Sequence, residues 1–206
     1  MMLKTRKLFQ QSQFYSVACL SSLQEYFQLG NSFFQKKMYK EAIEQYNQCL
    51  KIYPEHVTSI QNIGLAQFQQ NELDKSIQSF KRVLQIQPKS DKALYHLGVC
   101  YLYSNQLELS FDVFQKCTQY SPKNEVYFYY LGLSSLRMNL LCQAQQYFLR
   151  SLDISPTNQE VLYCLGVAYH LQGQKKQTIS VYEKLLSLDP KNLNYRNILC
   201  ALKVMN

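Results

Sequence analysis

Hydrophobic and polar positions along this chain repeat with a period of 34 residues. Counted from residue 23, the seventh position of each stretch is aliphatic: Leu29, Ile63, Leu97, Leu131 and Leu165. The twenty-fourth is aromatic: Tyr46, Phe80, Phe114, Phe148 and Tyr182. The twenty-eighth reads Leu50, Leu84, Thr118, Leu152 and Leu186, and the twentieth is always small: Ala42, Ser76, Ser110, Ala144 and Thr178. A fixed period of this length marks a chain built from stacked copies of one supersecondary unit.

The residues that break helices keep the same register. Pro54, Pro88, Pro122, Pro156 and Pro190 are all the prolines present, and five of the six glycines (Gly30, Gly64, Gly98, Gly132, Gly166) each precede a proline by 24 residues. Position 15 reads Lys37, Asn71, Asn105, Asn139 and Gly173; Asn and Gly tolerate the left-handed backbone that ends a helix. Each unit is therefore expected to hold one helix over about positions 2–14 and a second over about 18–30, stopped by the proline at 32. Gly at 8 and the small residue at 20 let the two helices approach, and the aromatic at 24 fills the space between them. Such a hairpin cannot bury its apolar faces alone, so units must stack. The predicted units are 23–56, 57–90, 91–124, 125–158 and 159–192, after an N-terminal extension over 1–22; residues 193–206, with Leu199 at position 7, are expected to form a single capping helix.

This pattern closely resembles the tetratricopeptide repeat family over residues 23–192. Position 4 is never Trp here (Tyr26, Ile60, Leu94, Phe128, Leu162), and position 11 holds Gln67 and Ser135 in the second and fourth units. The resemblance implies an all-α fold: a right-handed superhelical solenoid of antiparallel helix pairs with a C-terminal capping helix. It also implies that the first helices line a concave groove holding an extended peptide or a helix of a partner protein. On that basis the groove residues are Phe27, Asn31, Phe34, Asn62, Leu65, Lys92, Tyr95, His96, Val99, Tyr129, Tyr130, Leu133, Tyr163 and Val167.

Within the fourth unit, Tyr127, Phe128, Tyr129 and Tyr130 follow one another. Four neighbours on a helix cannot share one core-facing side. The family resemblance implies that Phe128 packs in its own hairpin, Tyr127 against the preceding unit, and Tyr129 and Tyr130 face the groove. Large tyrosine surfaces carrying hydroxyls suit peptide capture.

Composition narrows the function. Apolar residues are 47% and charged residues only 17%, with Gln occurring 25 times, so the surface is solvated largely without charge. The net charge of +8 is spread along the chain with no long like-charged block; a diffuse field of that kind disfavours nucleic acid as partner, leaving an RNA-binding helical repeat as an alternative reading. Seven cysteines without a CxxC pair point to a reducing intracellular compartment, and no apolar run is long enough for a transmembrane segment. Neither a catalytic constellation nor a phosphate-cradling loop stands out, so no enzyme activity, cofactor, metal or small-molecule substrate is expected. A second reading is a co-chaperone that grips acidic chaperone tails. The family's carboxylate clamp would fall on Phe27, Asn31, Asn62, Lys92 and His96, where Phe and His replace the two further cations. Residues 1–22 carry Lys4, Arg6 and Lys7 and no acid. That composition resembles a mitochondrial targeting segment, which leaves cytoplasm and mitochondrion as expected locations.

Overall fold

A computed structural model describes residues 17–204; residues 1–16, which hold most of the basic extension, lie outside the described residues. Among the described residues there are eleven α-helices and no strand. They are α1 (Val17–Gln35), α2 (Tyr39–Ile52), α3 (Val57–Gln69), α4 (Leu73–Ile86), α5 (Asp91–Tyr103), α6 (Leu107–Tyr120), α7 (Glu125–Arg137), α8 (Leu141–Ile154), α9 (Gln159–Leu171), α10 (Lys175–Leu188) and α11 (Leu193–Val204). The chain divides into two compact units, Met1–His96 and Leu97–Asn206. In the first, α1 packs on α2, α2 on α3 and α3 on α4. In the second, each of α6 to α10 packs on the helix that follows, and α7 also touches α9.

The breakers act as their chemistry requires. Lys37, Asn71, Asn105, Asn139 and Gly173 all have positive φ, between 59° and 70°. The next residue then turns its N–H back onto a carbonyl five positions earlier: Met38 onto Phe33, Glu72 onto Gln67, Gln106 onto Tyr101, Leu140 onto Ser135 and Gln174 onto Tyr169, at 2.8–2.9 Å. This Schellman closure satisfies the last carbonyls of the first helix and starts the second within two residues. Lys37 adopts this conformation despite its side chain, at the usual cost for a non-glycine residue. The second helices end at Ile52, Ile86, Tyr120, Ile154 and Leu188, each two residues before its proline. Leu20 stands where that proline would fall ahead of the first unit, and α1 runs straight through it.

Inside each hairpin the ring at position 24 lies against the glycine at position 8. A Cβ on Gly132 would sit 2.5 Å from Phe148, and one on Gly30 would sit 2.6 Å from Tyr46. The small residue at position 20 is fully buried in all five hairpins. Where it is serine, its hydroxyl donates to the neighbouring glycine carbonyl: Ser76 to Gly64 at 2.7 Å and Ser110 to Gly98 at 2.9 Å. The buried hydroxyl thus costs no unmet hydrogen bond.

Position 7 shows how stacking completes the core. Ile63 joins Ala42 and Tyr46, Leu165 joins Ala144 and Phe148, and Leu199 joins Tyr182 and Leu185. The helix α11 therefore caps the last hairpin, burying Leu199 and Leu202. Leu29, at the same position of α1, is 45% exposed. Among the described residues no hairpin precedes it.

Candidate functional site

In residues 1–96 the predicted site side chains are largely engaged with one another. Asn31 Oδ1 accepts from the Tyr46 hydroxyl at 2.8 Å and from Asn62 Nδ2 at 3.1 Å. The Asn62 amide also pairs with the Tyr46 hydroxyl. Burial pushes the Tyr46 hydroxyl above its ordinary range, so it stays a protonated donor. The Phe27 ring lies 5.9 Å from Tyr46 and edge-on to His56 at 5.4 Å. Phe34 meets Tyr39 at 5.4 Å, and Leu65 is half-buried.

His96 stacks on Phe80 at 5.2 Å and meets Tyr95 at 5.0 Å. Burial lowers its pKa, and the nearby Lys92 charge lowers it further. The imidazole is therefore neutral at pH 7. Lys92 is exposed. Of the five clamp positions, two amides are bonded to each other, the histidine is uncharged, and Phe27 is packed on rings. Lys92 remains as the one cation among them.

Residues 97–206 are arranged differently. Tyr127 is buried with its ring 6.4 Å from Phe114, as its register requires. Tyr130 stacks nearly parallel on Phe114, at 4.7 Å and 6°. It therefore contributes more to packing against α6 than to an open face. Phe128 is half-buried. Tyr129 packs edge-on against Tyr130 at 5.1 Å and tilts toward Phe148 at 6.3 Å. Its hydroxyl is hydrogen-bonded to the Cys164 thiol. Burial drives both groups upward, Cys164 to about 11, and Glu160 adds to each shift. Both are protonated at neutral pH.

Tyr129 and Tyr163 line one open cleft of about 880 Å³, together with Gln159, Glu160, Cys164 and residues of α11. Tyr163 is 43% exposed, and its ring lies 6.2 Å from Tyr182 and 6.5 Å from Tyr195. The capping helix brings Asn194, Tyr195, Asn197 and Ile198 to the same cleft, none of which the repeat register had singled out. Their signal lay in the register itself, since residue 193 opens a sixth first helix and residues 194, 197 and 198 stand at its positions 2, 5 and 6. Val167 lines a separate hollow of about 330 Å³ with Tyr182, Ile198 and Leu202. Leu133 is half-buried, and Val99 is buried at 8% exposure, so it offers little to a ligand. Among the described residues no group of three or more His, Cys, Asp or Glu could hold a metal ion, and no helix is long and apolar enough to cross a membrane.

Family models described as tetratricopeptide repeat match residues 24–56, 91–124 and 147–179, and one described as TPR repeat matches 64–103. No curated protein matches the chain. Among solved structures, a tetratricopeptide repeat protein from Parabacteroides merdae superposes with a TM-score of 0.81 at 17% identity, covering 90% of this chain and 73% of its own. MamA from Desulfovibrio magneticus gives 0.79 at 17% identity over 84% of this chain and 97% of its own. YrrB, a TPR protein with an unusual peptide-binding site, gives 0.71 at 15% identity over 84% and 89%. At these identities the likeness speaks for the fold.

Proposed function

Because the chain belongs to the tetratricopeptide repeat family, we propose that it is a non-catalytic interaction scaffold that holds an extended segment or helix of a partner protein. The observation that carries this reading is the open cleft in which Tyr129, Tyr163 and Tyr195 converge. Half-exposed tyrosines beside uncharged amides offer large contact area and hydrogen bonding at low entropic cost. The ring contacts that a peptide makes in such a cleft are ones that added salt does not screen. The likeness to a peptide-binding TPR protein is consistent with this use of the fold. We further propose that the partner is held lastingly, as within a multiprotein assembly, because apolar contact favours durable association over capture of charged tails.

The clamp reading draws less support. A carboxylate needs converging cations and unoccupied donors, whereas Asn62 is bonded to Asn31 and Tyr46, and His96 is neutral.

The test is recovery of bound proteins on the tagged full chain, run beside Tyr163→Ala and Lys92→Ala. Both side chains are exposed, so both variants should fold. A defined protein set that is lost with Tyr163→Ala and kept with Lys92→Ala is the expected result. Loss with Lys92→Ala alone would move the site to the clamp, and retention by both variants would move it off both surfaces.

A further inference from the structure

The cleft between α7, α9 and α11 has a charge character opposite to that of the whole chain. The protein carries +8 overall, yet Glu160 is the single charged side chain lining the cleft. Its carboxylate acts on both Tyr129 and Cys164, raising each, which places its charge at the cleft wall. Around it stand the tyrosines, whose ring faces are electronegative. Tyr163 and Tyr195 are tilted at 35° to one another with centroids 6.5 Å apart.

The first turns of α9 and α11 also border the cleft, and free helix N-termini would invite an anion. Here two N–H groups of each first turn are already used. Asn158 Oδ1 accepts from Glu160 and Val161 N–H at 3.1 and 3.3 Å. Asn192 Oδ1 accepts from Asn194 and Tyr195 N–H at 3.1 and 3.2 Å. With those donors capped, the lining presents one carboxylate and several ring faces.

We propose that this cleft receives a cationic side chain, lysine or arginine, carried by the partner's segment, with Glu160 as its counter-charge and Tyr163 and Tyr195 as its π-face partners. The proposal rests on the reading of the cleft as the partner site and names the chemistry selected there. An alkylammonium or guanidinium over a tyrosine face gains cation–π attraction, and the carboxylate fixes where the charge ends. The amides of Gln159, Asn194 and Asn197 stand in the same lining, where they suit the peptide main chain of the segment. This is the reverse of a carboxylate clamp, which selects an anion.

The experiment is a displayed library of random short peptides selected on the immobilised full chain, followed by titration of the recovered peptides. Recovered peptides should share a lysine or arginine, and replacing that residue by methionine should weaken binding about tenfold. Glu160→Gln and Tyr163→Leu, both at exposed positions, should each weaken it by a similar factor. Peptides that need Tyr163 but bind Glu160→Gln unchanged, or that share no cation, would overturn the cationic assignment and leave the cleft reading standing. Peptides indifferent to Tyr163→Leu would overturn both.

Discussion

Tyr46 and Tyr182 occupy the same position of the first and fifth hairpins, over Gly30 and Gly166. Around Tyr46 the neighbouring groove positions are Asn31 and Asn62, and the three side chains close into one hydrogen-bonded triad. Around Tyr182 the same two positions hold Val167 and Ile198, and the ring borders a hollow of about 330 Å³ instead. Two further rings, Tyr163 and Tyr195, lie 6.2 and 6.3 Å from it. Burial and these two hydroxyls push Tyr182 up to about 12. One scaffold position thus serves two ends: amides close the surface of the first hairpin, and aliphatic residues leave the last one open beside the tyrosine cleft. The repeat fixes the ring, and the groove positions decide what the ring faces.

The largest expected effect breaks the comparison at the level they share. Tyr46→Ala and Tyr182→Ala each remove a buried ring over a glycine and should each cost about 3–5 kcal/mol in urea unfolding. A much smaller loss at Tyr182 would mean that the fifth hairpin is not built like the first.

A finer cut separates them. Tyr46→Phe keeps the ring and deletes the hydroxyl that binds Asn31, which should cost about 0.5–1.5 kcal/mol. Tyr182→Phe loses no amide partner and should stay within about 0.5 kcal/mol of the parent. Equal penalties in the two variants would show that the triad adds nothing beyond ring packing.

The scaffold was legible because its constraints are local and repeated. A proline fixes where each second helix stops, a left-handed residue fixes where each first helix ends, and a glycine fixes which ring it meets. Apart from the N-terminal end of α1, the predicted helix limits fall within about one residue of those observed, as expected when the breakers set them. The groove was less legible because its residues are defined by what lies across from them. Asn31 and Asn62, read as groove residues, also bond to one another, and Asn31 accepts from Tyr46. Tyr130 was read as groove-facing and stacks on Phe114. A usable signal did exist: position 24 is Tyr in the first and fifth units and Phe in the middle three, and a buried hydroxyl needs a partner. The cleft's third tyrosine was missed for another reason. Tyr195 lies in the capping helix, which was read for its burial, and it stands at position 3, which the register gives to packing against the preceding unit. Residues 17–22 already belong to α1, where no proline stands at residue 20 to interrupt it.

The smallest effect concerns pH, and it also separates the two units. In residues 1–96, His56 and His96 are both depressed below the ordinary histidine value of 6.5, chiefly by burial. Around His56 stand Phe27, Tyr53 and Ser59, and around His96 stand Phe80, Tyr95 and the Lys92 charge. None of these groups is a carboxylate, and burial outweighs what the rings and the Ser59 hydroxyl could give an imidazolium. Below pH 6.5 the unfolded chain therefore binds more protons than the folded one, and stability falls as pH falls. Above that value the contribution is fully present. The large shifts in residues 97–206 point the other way: Tyr129, Cys164 and Tyr182 are raised, so stability tied to them is present at neutral pH and lost as pH climbs above the ordinary thiol and phenol values of 9.0 and 10.0. Tyr46 and Cys49 are raised as well, so the alkaline loss is common to both units, and the acid loss belongs to the first. Hydrogen-exchange protection factors, which divide out the intrinsic pH dependence of exchange, should therefore fall in residues 17–96 before residues 97–204 on acidification. The double variant His56→Gln/His96→Gln should remove that difference, and a variant that still lost protection first in residues 17–96 would place the acid sensitivity outside the histidines.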